Sequence, residues 1–218
     1  MNKDAPAAKL LSTLFEKLYP NDENLPKRIL LVSAHFESDS NGFEISNAAL
    51  PKMIFDYYGF DDEAYDIDYP AKGDPEFAQR VKEQLEKNKI KAKLVNRGFD
   101  HGIFVPMSLI RPQADIPIVT MSINLYLGNK AHFNLGKALE PFRDEDTLIL
   151  CSGQSTHNAS SMSPALIRGA QAFQSWLDET LTSQSKLSVE ERTKQEAGAK
   201  AYFGWWAIGH MSFANYAW

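Results

Sequence analysis

Two stretches of this chain run from an apolar segment into small polar residues and then a histidine. The first is Arg28-Ile29-Leu30-Leu31-Val32-Ser33-Ala34-His35-Phe36-Glu37. The second is Thr147-Leu148-Ile149-Leu150-Cys151-Ser152-Gly153-Gln154-Ser155-Thr156-His157-Asn158. Each reads as a buried strand that delivers an imidazole at its end. In an open α/β sheet the strand ends are where ligands bind. Two imidazoles brought there from separate strands point to a metal or acid–base site. A third histidine, in Gly98-Phe99-Asp100-His101-Gly102, joins them as a candidate; its Asp and Gly neighbours suit a tight turn.

The rest of the chain supplies elements that can cover such strands. Leu10, Leu11, Leu14, Phe15 and Leu18 recur at helical spacing, so 5–19 reads as an amphipathic helix that Pro20-Asn21-Asp22 ends. Residues 28–34 form the first strand, and 38–48, rich in Asp, Ser and Asn, reads as a loop. The aromatic stretch 57–73 has little periodicity and reads as a long ordered loop, a kind of segment that is often functional. Asp74-Pro75 opens a helix to about Asn88, with Asp as N-cap and Pro in the first turn. Strands follow at 91–95, 116–123 and 147–152, and helices at 102–110, 129–140 and 164–181. Ser188-Val189-Glu190-Glu191 is a capping box opening a further helix, and 211–218 alternates as a last strand. The expectation is a single-domain α/β sandwich over 1–218, with a mostly parallel or mixed central sheet flanked by helices.

Composition removes several function classes. The net charge of −5 and the lack of any basic stripe argue against a nucleic-acid partner. No apolar run approaches the roughly 18 residues a bilayer span requires, and the N-terminus does not read as a signal peptide. The one cysteine, Cys151, has no internal partner, which is compatible with a reducing compartment and a cytoplasmic location. Ser152 and Ser155 do not fit the Gly-x-Ser-x-Gly elbow of a hydrolase. The oligomeric state is left open.

The motifs in order resemble one family. Ser33-Ala34-His35, Tyr57-Tyr58-Gly59-Phe60, Tyr69-Pro70-Ala71-Lys72-Gly73-Asp74-Pro75 and Arg97-Gly98-Phe99-Asp100-His101-Gly102 come first. Ala114-Asp115-Ile116-Pro117-Ile118-Val119, His132-Phe133-Asn134-Leu135-Gly136-Lys137-Ala138-Leu139 and Ser152-Gly153-Gln154-Ser155-Thr156-His157-Asn158 follow. Together they are similar to the class III extradiol ring-cleavage dioxygenases, closest to the DOPA dioxygenase branch. The resemblance implies an α/β sandwich, a divalent metal (Fe2+, or Zn2+), a catechol substrate and dioxygen. It implies that His35 binds the metal, that His157 sits at the metal as ligand or acid–base group, and that His101 lies on the substrate side.

The chain also departs from the family pattern. No histidine precedes His35, where members carry a metal-binding His-Gly motif. The His-Pro-x-x-Glu-His segment of members is missing between Lys194-Gln195-Glu196-Ala197-Gly198 and Gly209-His210-Met211-Ser212. Two imidazoles alone would hold ferrous iron weakly. Glu37, two residues beyond His35, is a candidate third ligand if the strand continues, weighed against a solvated loop glutamate. His132 and His210 read as structural. The alternative function is a retained fold without the chemistry, acting as a small-molecule binder or an interaction module.

Overall fold

A computed structural model describes residues 4–39, 41–153 and 164–182. They fall into two compact units. The first contains the sheet, the first three helices and Leu135–Gly153; the second contains Leu125–Asn134 and the helix Pro164–Thr182.

Among the described residues the strands are β1 (Arg28–Ser38), β2 (Phe43–Ser46), β3 (Ala92–Val95), β4 (Ile118–Asn124) and β5 (Thr147–Cys151). The α-helices among them are α1 (Pro6–Leu18), α2 (Pro75–Lys87), α3 (His101–Ile110), α4 (Asn129–Leu139) and α5 (Pro164–Thr182). The sheet order is β3-β2-β4-β1-β5. β1 runs parallel to both β4 and β5, and β2 runs parallel to β3 but antiparallel to β4. This is the mixed sheet of an α/β sandwich, as the strand–helix alternation predicts.

Every residue of β4 is buried, as a strand covered on both faces requires. In β1, Ile29, Leu30 and Leu31 are all buried. Successive side chains of a strand point to opposite faces, so the sheet is covered on each side. On one face Phe15 of α1 and Ile103, Phe104 and Met107 of α3 pack with Ile29, Leu31 and Ile118. Helix α2 buries Phe77, Val81 and Leu85 and packs along β2, β3 and β4. Each such side chain contributes about 1.5–3 kcal/mol by leaving water. Helix α2 starts where the sequence says it should, because the Asp74 side chain accepts the Phe77 amide at 2.9 Å.

Three readings need correction. The segment 38–48 is not all loop: β1 continues to Ser38, and Phe43-Glu44-Ile45-Ser46 forms β2. Phe43 and Ile45 alternate into the core, but a strand of four residues amid Ser, Asn and Asp leaves little periodicity to read. β1 runs on past His35 to Ser38, so His35 stands three residues before the strand end. His101 is not in a turn but is the first residue of α3. The capping box at 188–191, the strand at 211–218, His157 and His210 lie outside the described residues.

Candidate functional site

The site grows out of a fault in the sheet. β1 pairs with β4 in register as far as Ser33 opposite Ser122, and pairing resumes with Glu37 opposite Ile123. Three residues of β1, Ala34 to Phe36, thus face a single step on β4. A bulge of this kind bends the strand and re-aims a side chain, and bulges are common next to active sites. His35 sits at its centre, near the C-terminal end of the strand.

The distorted backbone is held by a polar clamp. The His35 amide donates to Ser33 Oγ at 3.2 Å, and the Ser33 hydroxyl donates to Asp100 Oδ1 at 2.7 Å. Arg97 donates to Asp100 Oδ2 at 3.0 Å and to the His35 carbonyl at 3.3 Å. Its guanidinium also lies 4.4 Å from the centre of the Phe36 ring. Asp100 is fully buried, so its charge requires these partners. Both backbone groups of His35 are therefore fixed, the amide by Ser33, which is itself bound to Asp100, and the carbonyl by Arg97.

The second arm comes from the loop before the aromatic stretch. Met53 bridges Phe99 in parallel fashion, with Phe99 N–H donating to the Lys52 carbonyl at 2.8 Å and Ile54 N–H to the Phe99 carbonyl at 2.7 Å. Gly98 permits that approach, since a Cβ there would lie 2.0 Å from the Lys52 carbonyl oxygen. The pairing delivers Asp56 to the start of α3. Its Oδ1 accepts from the His101 amide at 3.0 Å and lies 2.8 Å from His101 Nδ1. Its Oδ2 stands 3.8 Å from His35 Nδ1, beyond hydrogen-bond length. Burial pushes the Asp56 pKa up, but the bond to the His101 ring, the His101 amide and the charge of the imidazole together outweigh it and hold the carboxyl below its ordinary value.

The two imidazole rings lie 4.0 Å apart, tilted by 48°. One donor atom from each of His35, Asp56 and His101 can be chosen so that all three lie within 4.8 Å of one another. Two imidazoles and a carboxylate are the donor set of non-haem iron oxygenases, so the chemistry of these residues fits a divalent cation. Aromatic rings wall the site: Tyr57 meets His101 edge-on at 5.7 Å, and Phe55 meets Phe104 edge-on at 5.6 Å. The Tyr57 hydroxyl donates to the Ala64 carbonyl, which ties this wall to the rest of its loop.

His35 and His101 are thus brought together. Glu37 is exposed and is not a member of the cluster; the carboxylate that stands beside the two imidazoles is that of Asp56. Sequence reasoning missed Asp56, although an acidic residue inside Ile54-Phe55-Asp56-Tyr57-Tyr58 is a visible anomaly. His132 lies in α4, with its Nδ1 3.4 Å from the Gly128 carbonyl, and burial lowers its pKa. An open cleft of about 760 Å³ lined by Lys72, Asp74, Glu76 and Asp115 is at the start of β4, away from the bulge, and contains none of the three cluster residues.

Comparison with known proteins matches residues 3–201 to the model of the catalytic LigB subunit of aromatic ring-opening dioxygenase. The chain belongs to this family. It is 35% identical over 210 residues to a 4,5-DOPA dioxygenase extradiol of Beta vulgaris, covering 94% of this chain and 74% of that one. It is 42% identical over 140 residues to the dioxygenase tasH of Hapsidospora irregularis, covering 63% of this chain and 43% of that one. This chain therefore spans three quarters of the first relative and under half of the second. The crystal structure of an uncharacterized protein from Escherichia coli K12 superposes with a TM-score of 0.61 at 26% identity, covering 90% of this chain and 80% of that one. The LigB family is a non-haem, metal-dependent dioxygenase family, and this chain presents a His/Asp cluster able to hold a metal. Among the described residues, no helix is long and apolar enough to cross a membrane.

Proposed function

We propose that this LigB-family chain opens the ring of a catecholic, DOPA-like substrate beside its diol, using dioxygen and a divalent metal. The observation that carries this reading is the bulged His35 held 4.0 Å from the His101 ring with Asp56 between their nitrogens. Membership of the family and the names of its relatives support it. His35 is assigned as a metal ligand, His157 as the second group at the metal, and His101 as the residue that meets the substrate hydroxyl.

Ferrous iron is the metal proposed, with zinc as a structural substitute. When bound, such a cation supplies the Lewis acidity and redox capacity that ring opening with dioxygen requires. The chain's own residues do the rest. The clamp of Ser33, Arg97 and Asp100 keeps His35 in place, and the aromatic wall favours a planar apolar ring over water. Catechol and dioxygen combine into one ring-opened product that keeps both oxygen atoms, so no further reductant is consumed.

The test is metal content after anaerobic loading with ferrous iron, followed by oxygen uptake with DOPA and simpler catechols. The reading predicts about one metal per chain, lost in His35→Ala, and uptake that needs the catechol. A chain that holds no metal and consumes no oxygen would instead be a binding or interaction module on the same fold.

A further inference from the structure

The first amides of an α-helix have no partner within it, and a side chain commonly supplies one. Asp100 stands at the N-cap of α3, yet its side chain makes no capping bond; it is turned to Ser33 and Arg97. The His101 amide is met instead by Asp56, a residue 45 positions earlier. The same oxygen, Oδ1, also meets His101 Nδ1 at 2.8 Å. One carboxylate oxygen thus grips the residue by backbone and ring together. Asp56 is itself placed by the pairing of Lys52–Ile54 with Phe99, so this contact is part of the fold.

A carboxylate held in its charged form can only accept hydrogen bonds. The ring proton of a neutral His101 must then sit on Nδ1, and Nε2 becomes the acceptor. The His35 and Tyr57 rings, 4.0 and 5.7 Å away, restrict rotation of the imidazole about that bond. We infer that Asp56 is a positioning residue that fixes His101 as its Nδ1–H tautomer and leaves Nε2 to take the proton of a catechol hydroxyl. The inference rests on the ring-opening reading above. In the step, the hydroxyl O–H bond breaks, its electron pair stays on oxygen and the proton forms an N–H bond at Nε2. The imidazolium that results faces the Asp56 charge. This assignment excludes ligation of a metal through His101 Nδ1, which would have to displace the shared proton, and it engages Asp56 through Oδ1, with Oδ2 on the side of His35.

The experiment is nitrogen-15 NMR of the full chain labelled at histidine, loaded with Zn2+, at about pH 8.5, where histidine is ordinarily neutral. His101, assigned through the His101→Gln spectrum, should show a pyrrole-type Nδ1 and a pyridine-type Nε2. Addition of 4-nitrocatechol should shift Nε2. Asp56→Ala should lose the tautomer preference. A protonated Nε2, an Nδ1 that loses its proton on zinc loading, or an unchanged tautomer in Asp56→Ala would overturn the inference. Should Asp56→Ala fail to fold, Asp56→Asn keeps an acceptor but not the charge. With ferrous iron it should lower kcat for DOPA by roughly 10²–10⁴-fold, with KM altered by less than about 3-fold; an unchanged kcat would overturn it. A wild-type chain that shows the tautomer and the Nε2 shift but opens no ring would reject the ring-opening reading alone. Turnover with a protonated Nε2 would reject the role of Asp56 alone.

Discussion

Helix α3 has a charged cluster at each end, and the two are built differently. At its C-terminal end the buried Arg111 donates to Asp115 at 2.9 and 2.8 Å and to Asp22 at 2.5 Å, and its carbonyl accepts from Tyr69 Oη at 2.9 Å. Each acid there answers one cation, and the set ties the turn after α1 to α3. The hydrogen bonds that Arg111 donates to Asp115 and Asp22 raise the guanidinium pKa, and the Arg111 bond in turn holds the Asp115 carboxyl low. At the N-terminal end Asp100 is spent in the same structural way, on Ser33 and Arg97. Asp56 is not: one oxygen serves His101 while the other stands 3.8 Å from His35. A closed ion cluster holds a fold together; a cluster with two imidazoles and a carboxylate oxygen outside hydrogen-bond range can do chemistry.

The largest effect should separate the two ends outright. His35→Ala should lower ring-opening turnover by about a thousandfold or more while changing unfolding free energy by only about 1 kcal/mol. Turnover near wild type would remove the bulge from the active site. Next comes Asp100→Ala, which strands Arg97 and Ser33 and should cost about 3 kcal/mol in urea unfolding. Metal affinity should fall by about 10–100-fold, because the clamp on His35 is lost. At the other end Arg111→Met should cost about 1–2 kcal/mol, since Asp22 and Asp115 can rehydrate, and should leave kcat of the folded chain unchanged. If Arg111→Met lowered kcat as much as Asp100→Ala, the contrast between the ends would be wrong.

These variants also show what the sequence could and could not disclose. The strand at 28–34, the Asp74-capped helix and the long helix from Pro164 are legible because burial period and capping chemistry are local. His35 is legible as a candidate because small polar residues break the apolar run before it, and His101 through the family resemblance of Arg97-Gly98-Phe99-Asp100-His101-Gly102. The bulge is not legible: nothing local to Ser33-Ala34-His35-Phe36 says that β4 advances one step while β1 advances four. Nor is Asp56, whose meeting with His101 depends on the bridge between Met53 and Phe99. Both are facts about pairing between distant segments. The family resemblance located the histidines, and packing supplied the carboxylate between them.

Smaller effects are expected at Gly102 and Asp115. A Cβ at Gly102 would meet Ser33 Oγ at 2.9 Å, Asp100 Oδ1 at 3.1 Å and the His35 ring at 3.2 Å. Gly102→Ala should therefore cost about 1–3 kcal/mol and weaken metal binding with it, whereas a stability loss alone would mean that the clamp can shift without moving His35. The smallest effect is in pH dependence at the closed end. The folded carboxyl of Asp115 lies below its unfolded value, so its contribution is complete above the ordinary aspartate range and is lost as pH falls through the folded value. Asp115→Asn should flatten the rise of the urea midpoint between about pH 2 and pH 5 and leave its slope unchanged near neutrality. An unaltered acid limb would mean that Arg111 gains nothing from this partner in solution.

Insertion of both atoms of dioxygen into a catechol ring is the defining step of the proposed reaction. It is tested most directly by mass spectrometry of the product formed from DOPA under oxygen-18 gas by the ferrous-loaded chain. The account predicts one ring-opened product carrying two heavy atoms, cleaved beside the diol and absent with His35→Ala. A product with one heavy atom, cleavage between the two hydroxyls, or no product from a metal-loaded chain would contradict it.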